Sequence, residues 1–149
     1  ASGLYSEQLL AERYGCFVSR GSRWTTQRLD LNTYVAARHI SVRPVPNWRP
    51  HFHQALDRLG VAITPNIEVS SFGEIDRVID GTDLILTATE GFARIYSPRI
   101  VGIRAPFDSA FSVHMAWAGR THSSPAHLWL RRQIREIVAH LPEPKVLDV

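Results

Sequence analysis

The sequence predicts an α/β fold arranged around a mostly parallel sheet. Short apolar runs alternate with longer segments in which apolar residues recur every three or four positions. One run, residues 84–86, is continuously apolar, as in strands that are covered on both faces of a sheet. Such alternation is typical of α/β units. The chain has 149 residues, of which 44% are hydrophobic, so it can bury one sizeable core.

The first third of the chain contains two predicted strands separated by a helix. Residues 14–19 form an apolar run that ends at a turn-like Arg-Gly-Ser sequence. Asp30 is a suitable N-cap for a helix over residues 31–36, because its carboxylate can accept from free backbone N–H groups. Residues 39–42 then form a short strand that the following prolines bring to an end.

The rest of the chain continues the alternation. We expect Gly60 and Gly81 to close two of the helices. The last helix begins with Ser124 as N-cap and Pro125 in its first turn, and the tail after residue 141 is expected to fray. The other predicted helices cover residues 49–59, 72–79 and 91–96, and the other strands cover residues 67–69, 84–86, 101–103 and 111–117.

Composition excludes several classes of protein. The 17 basic residues are offset by 14 acidic ones, and Arg131-Arg132 is the one adjacent basic pair, so no basic stripe for DNA is present. The lone Cys16 allows no disulfide within the chain and fits a reducing compartment. The apolar runs are too short to span a membrane, and the first ten residues do not resemble a signal peptide. We therefore expect a cytoplasmic protein.

Motifs for catalysis or metal binding are missing from the sequence. His51 and His53 are two positions apart, which does not place them on one helix face, and no other histidine pair has the spacing of a metal site. There is no nucleophile motif and no phosphate-binding glycine loop. We expect no catalytic residue, no metal and no cofactor, and hence a protein that is not an enzyme.

Two groups of polar residues are candidates for ligand binding. Ser71 and Phe72 lie where a strand passes into a helix, where hydroxyls and free N–H groups can hold a polar ligand; plain N-capping by Ser70 or Ser71 is the alternative. His39 and Ser41 alternate on one face of a strand, and a solvated strand edge explains them equally well.

The order of four motif blocks resembles the C-terminal effector-binding domain of LysR-type transcription regulators. The blocks are residues 12–21, residues 34–40, residues 69–72 with 82–85, and Trp117 with residues 124–131. The last block is similar to the ending carried by the branch of nodulation regulators and regulators of aromatic-compound degradation. Ala118, Ser124 and the Thr89-Glu90 pair depart from that branch, which usually has His, Asp and Leu-Pro at these positions.

This resemblance implies a type 2 periplasmic-binding-protein-like fold with one complete Rossmann-like lobe and part of a second. Residues 1–16 would form a crossover segment from subdomain I, and residues 17–106 would form subdomain II. Residues 107–141 would return as a strand and the C-terminal helix of subdomain I, before a tail over residues 142–149. The DNA-binding helix-turn-helix domain would precede residue 1, so we expect the chain to be part of a longer regulator.

The resemblance also implies a function. A small aromatic or carboxylic effector would bind between the two subdomains and change the geometry of a DNA-bound homodimer or tetramer. His39, Ser41, Ser71 and Phe72 would line the subdomain II wall, and the helix over residues 72–79 would contact a partner subunit. The main alternative is a transporter's solute-binding protein with the same fold; an enzyme and a direct DNA binder are further alternatives.

Overall fold

The computed structural model describes residues 3–95 and 97–149, which fold into two compact units. One unit comprises Ala1–Glu12 and Ala110–Glu143, and the other comprises Arg13–Ser109 and Pro144–Val149. The strands are β1 (Leu4–Glu12), β2 (Tyr14–Ser19), β3 (His39–Val42), β4 (Ile67–Val69), β5 (Ile85–Thr89), β6 (Ile100–Arg104), β7 (Phe111–Ala118) and β8 (Val146–Leu147). The α-helices are α1 (Leu31–Ala36), α2 (Phe52–Arg58), α3 (Ile75–Ile79) and α4 (Pro125–Ala139).

The smaller unit contains an antiparallel pair, β1 with β7, and the helix α4. Arg135 on α4 holds Glu7 on β1 through two hydrogen bonds of 2.7 and 2.6 Å, which lower the pKa of the Glu7 carboxyl. Arg131 is buried, with its guanidinium over the Trp117 ring and a 2.6 Å hydrogen bond to the His122 carbonyl. Cationic side chains on α4 therefore attach this helix to the strand pair.

The larger unit is built on a six-stranded sheet with the order β4-β3-β5-β2-β6-β8. Strand β3 is parallel to β4 and β5, whereas β2 is antiparallel to both β5 and β6. The expected mostly parallel sheet is therefore a mixed sheet. The parallel strands β3, β4 and β5 are connected through the helices α2 and α3, as parallel strands require. Strand β2 lies between β5 and β6, and no direct crossover joins it to either of them.

Each face of this sheet carries its own hydrophobic core. Successive residues of β2 alternate between them, with Cys16 and Val18 on one side and Phe17 on the other. The first core packs against Tyr34 of α1 and against α2, and the second packs against α3. Burial raises the pKa of the Cys16 thiol to about 12, so this cysteine contributes to the core as a small apolar side chain.

Several predicted elements are confirmed with little change. Asp30 caps α1, with its carboxylate accepting from the Thr33 N–H at 2.8 Å, and Gly60 and Gly81 close α2 and α3 with φ of 70° and 71°. Ser124 occupies the N-cap position of α4, but its side chain makes no capping hydrogen bond.

Other predictions are wrong. The helix expected over residues 72–79 begins only at Ile75, because Glu74 has a φ of 67° and cannot continue a right-handed helix. The helix expected over residues 91–96 is a 3₁₀ segment, Glu90–Arg94, and Tyr96 lies outside the described residues. The tail does not fray throughout, since β8 pairs with β6 and Asp148 forms an ion pair with Arg104.

The packing of α2 gives a matched test of the first core. Leu56 is completely buried, whereas Leu59, three residues later, is 50% exposed. We expect Leu56→Ala to lower the free energy of unfolding by about 2–5 kcal/mol, because the side chain leaves a cavity in the core. Leu59→Ala should change it by less than about 0.5 kcal/mol. Urea unfolding of both variants measures the difference, and equal effects would contradict the packing described.

Candidate functional site

The carboxyl ends of β3, β4 and β5 meet at one edge of the larger unit, because these three strands are parallel. In α/β sheets, ligands bind in crevices beyond the carboxyl ends of parallel strands. One cavity opens here, and a second runs along β3 from His39, its first residue, to Arg43 beyond its end. Both are formed entirely by residues of the larger unit.

The larger cavity has a volume of about 440 Å³, and its mainly apolar wall includes four aromatic residues. We call it the aromatic cleft, defined by Tyr14, Trp48, Phe72 and Phe92. Trp48 and Phe72 are 52% and 48% exposed, although both are large apolar side chains. The ring of Phe72 lies 5.4 Å from that of Phe92, which in turn packs edge-on against the buried Phe17. An exposed aromatic ring that packs against another ring, as Phe72 does against Phe92, can stack on a flat apolar ligand.

The second cavity, of about 350 Å³, lies on the α2 side of β3. We call it the polar pocket, after the polar residues among those that line it, His39, Arg43, Asn47, Arg49 and His53. Ser41, Trp48, Pro50 and Thr87 line both cavities, so the two spaces adjoin along a common wall.

His39 is the one described residue with a buried side-chain polar atom that lacks a hydrogen-bond partner. The side chain is 2% exposed, and its Nε2 lies 2.7 Å from the Tyr34 carbonyl oxygen, which leaves Nδ1 unpartnered. Burial lowers the pKa of His39 below its ordinary value of 6.5 and outweighs the opposing effect of the Tyr34 carbonyl. The neutral ring therefore donates from Nε2, and its unprotonated Nδ1 is buried without a partner.

The two arginines of the polar pocket are already paired. Arg43 Nη2 lies 2.6 Å from Glu68 Oε1, and the Arg49 guanidinium makes two hydrogen bonds of 2.9 Å to the Asp57 carboxylate. The hydrogen bonds from Arg49 lower the pKa of Asp57. Burial, followed by the charge of Arg49, lowers the pKa of His53. Both arginines of the pocket wall are therefore ion-paired, with acidic partners that do not themselves line the pocket.

The predicted binding residues are distributed unevenly over these cavities. His39 lines the polar pocket, Phe72 lines the aromatic cleft, and Ser41 lines both. Ser71 lines neither cavity, and its Oγ accepts from the Gly73 N–H at 3.0 Å in a local turn. The alternative of N-capping by Ser70 or Ser71 is wrong as well, since Glu74 occupies the N-cap position of α3.

Sequence reasoning missed four residues of the site: Tyr14, Trp48, Thr87 and Phe92. Trp48 had a usable signal, because a single tryptophan lay between the prolines of a polar loop. Glu90, one of the departures from the related branch, is 8% exposed. Its carboxylate lies 3.8 Å from Arg13 and 3.6 Å from Arg104, so its charge is neutralised.

Two further observations concern the described residues as a whole. Across residues 3–95 and 97–149, no three His, Cys, Asp or Glu side chains are grouped so that they could hold a metal ion. Within the same ranges, no helix is long and apolar enough to cross a bilayer.

The sequence of the chain matches a known protein family. The model of the LysR substrate binding domain matches residues 1–139. The chain belongs to this family. It is 33% identical over 128 residues to nodulation protein D 2 of Bradyrhizobium diazoefficiens, and 22% identical over 139 residues to the transcriptional activator NahR of Pseudomonas putida. These matches cover 83% and 88% of the chain but 38% and 45% of the relatives, so the chain spans less than half of their length.

Solved LysR-family structures share the fold. The regulatory domain of MexT, a transcriptional activator in Pseudomonas aeruginosa, superposes with a TM-score of 0.74 at 24% identity, covering 89% of this chain and 65% of that one. The effector binding domain of a BenM variant gives a TM-score of 0.67 at 14% identity, covering 92% and 66%. The expected α/β regulatory-domain fold is confirmed. NahR is named as a transcriptional activator, which disfavours a transporter's solute-binding protein.

The lowered pKa of His39 makes stability depend on pH. Below about pH 6.5 the unfolded chain takes up a proton at His39, while the folded chain resists it, so the unfolded state binds more protons. The free energy of unfolding should therefore fall as pH is lowered through this range. His39→Gln, whose amide can still donate to the Tyr34 carbonyl, should reduce this dependence. Because His53 contributes in the same direction, some dependence should persist.

Urea unfolding of the wild type and of His39→Gln at about pH 7.5 and about pH 5.5 measures the difference. An identical loss of stability in both proteins would show that His39 is not the buried neutral group described.

Proposed function

We propose that this chain is the effector-sensing part of a LysR-type transcription regulator and that its effector is a small aromatic molecule held in the aromatic cleft. The observation that carries the proposal is the pair of half-exposed rings, Trp48 and Phe72, beside a cavity of about 440 Å³ at the carboxyl ends of parallel strands. Membership of the LysR substrate-binding family supports a sensing role. The curated relatives, named as a nodulation protein and an activator, support a role in transcription.

The chain would act by binding rather than by chemistry. Stacking of an aromatic effector on Trp48 and Phe72 would stabilise the conformation of the regulator that binds it best, and so shift the population of the DNA-bound oligomer. Such a shift requires only that the two conformations differ in affinity for the effector. No catalytic residue, metal or cofactor takes part in this mechanism, so we propose that the protein is not an enzyme.

We further propose the partners that such a mechanism needs. The regulator would be a homodimer or tetramer and would contact DNA through a separate helix-turn-helix domain, as the "HTH-type" names of several relatives suggest. It would work in the cytoplasm, where it has access to the chromosome, and without a membrane partner.

Ligand-induced stabilisation tests the proposal. The full polypeptide encoded by the gene is screened by thermal unfolding against phenols, aromatic acids and flavonoids. At least one class should raise the melting temperature in proportion to its occupancy, because a ligand that binds only the folded state must stabilise it. If no compound of any class changes the melting temperature, the proposal is wrong.

Substitution of Phe72 locates the site of that binding. Phe72→Ala should weaken the stabilising ligand about tenfold, equivalent to about 1.4 kcal/mol, because one stacking surface is lost. The matched control is Val78→Ala, since Val78 is 38% exposed on α3 and lines neither cavity. Isothermal titration of the three proteins gives the dissociation constants. Equal weakening in both variants, or in neither, would place the ligand elsewhere.

A further inference from the structure

We propose that Tyr14 is a positioning residue of the aromatic cleft: its hydroxyl oxygen, Oη, accepts a hydrogen bond from the backbone at the start of α2 and so fixes the loop that presents Trp48 to the effector. This proposal rests on the proposed function, because it gives one atom of the cleft wall a role in effector affinity. Oη acts through Trp48 and not by contact with the effector.

The loop concerned covers residues 43–51 and connects β3 to α2. At its beginning, the Arg43 N–H donates to a carbonyl of β4 at 2.7 Å, which attaches the loop to the sheet. In its middle, the Trp48 N–H donates to the Val45 carbonyl at 3.2 Å, in a turn where Asn47 has a left-handed φ of 64°. The loop therefore has a defined local fold, and the attachment of its far end determines where Trp48 lies.

The far end of the loop is attached to β2 through Tyr14. The His51 N–H donates to Tyr14 Oη at 3.2 Å, and the Phe52 N–H is a second donor to the same oxygen. The first N–H groups of a helix have no acceptor within the helix, and His51 at the N-cap position of α2 supplies no side-chain cap. Burial raises the pKa of the Tyr14 hydroxyl above its ordinary value of 10, so the group stays neutral.

Tyr14 is itself held in place by its surroundings. Its N–H donates to Ser109 Oγ at 2.9 Å, and its main chain pairs with Thr89 of β5. The ring packs edge-on against that of Phe52, with 5.3 Å between the ring centroids. Because the strand and the ring are both held, Oη has a defined position, and the end of the loop is bonded to it.

A second attachment near Trp48 is weaker and joins different elements. Arg49 makes two hydrogen bonds of 2.9 Å to Asp57 on α2, but both side chains are more than half exposed. Solvent screens such a pair, so it contributes little. It also joins the loop only to α2, whereas the Tyr14 hydroxyl joins it to the sheet that forms the rest of the cleft wall. The position of Trp48 relative to that wall therefore depends on Tyr14.

A double-mutant cycle tests whether Tyr14 acts through Trp48. The probe is 2-naphthol, a flat aromatic compound, and isothermal titration of the full polypeptide gives its dissociation constants. Tyr14→Phe keeps the ring and removes only Oη, and should weaken binding about fivefold, as expected for one lost hydrogen bond. Trp48→Ala should weaken it about tenfold, because a stacking surface is lost. The double variant should bind within about twofold of Trp48→Ala alone, since the two residues act as one unit.

Hydrogen exchange of the full polypeptide without ligand tests the attachment itself. By mass spectrometry, Tyr14→Phe should exchange its amides over residues 47–52 at least about threefold faster than the wild type, because the loop opens more often. The matched control is Tyr34→Phe, which removes a hydroxyl that lies 2.8 Å from that of Thr87 in the same unit. Tyr34 lines neither cavity, and its substitution should leave exchange over residues 47–52 unchanged.

Three results would each overturn the proposal for Tyr14 alone. They are losses of affinity that multiply in the double variant, as a direct contact between Oη and the ligand would cause, wild-type affinity in Tyr14→Phe, and unchanged exchange over residues 47–52 in Tyr14→Phe. Failure of 2-naphthol to bind the wild type would overturn the proposal together with the aromatic cleft as the effector site.

Discussion

Strand β3 pairs in parallel with β4 on one side and with β5 on the other, and this alignment determines what the larger unit can present to a ligand. Parallel strands require helical crossovers, and the short helices α2 and α3 supply them on opposite faces of the sheet. All three strands then end at one edge. The loop carrying Trp48 follows β3 there, and Phe72 follows β4. Trp48 and Phe72 are far apart in sequence, but the shared direction of the parallel strands brings both to the same edge of the sheet.

The same parallel alignment explains why one cavity is aromatic and the other is polar. Side chains of β3 alternate, so Ile40 and Val42 join one core while His39 and Ser41 face the other side. His39 is thereby buried beside the end of α1, where its Nε2 lies 2.7 Å from the Tyr34 carbonyl oxygen, which also accepts from the Ala37 N–H at 3.2 Å. This contact engages one ring nitrogen of His39, and the other, Nδ1, is buried without a partner.

Much of the larger unit could be predicted from sequence because its signals are local. Apolar runs marked β2 and β3, Asp30 marked the start of α1, and glycines marked the ends of α2 and α3. Non-local features were missed. Strand β1 has no buried residue to reveal a period, and its partner β7 follows about a hundred residues later. The positive φ of Glu74 gave no sequence signal, because a helix-forming residue occupies a conformation that usually favours glycine.

The candidate site was predictable in part for the same reason. Ser41 and Phe72 lie near the carboxyl ends of strands, where ligands bind in this class of fold, whereas His39 begins β3; all three line one or both of the cavities. Ser71 had equal sequence support but forms a local turn with Gly73, which no pattern of residue types distinguishes from a ligand contact. Tyr14 could not be predicted from sequence, because its place in the site depends on the tertiary packing that brings the start of β2 beside the loop of Trp48.

Intermolecular nuclear Overhauser effects between a bound aromatic effector and the protein show which surface the effector contacts. Protons of the ligand's ring should show effects to the side chains of Trp48 and Phe72, which line the aromatic cleft. Effects confined to residues outside this cleft, from a ligand that binds stoichiometrically, would contradict it. The effector would then be recognised by a different surface of the protein.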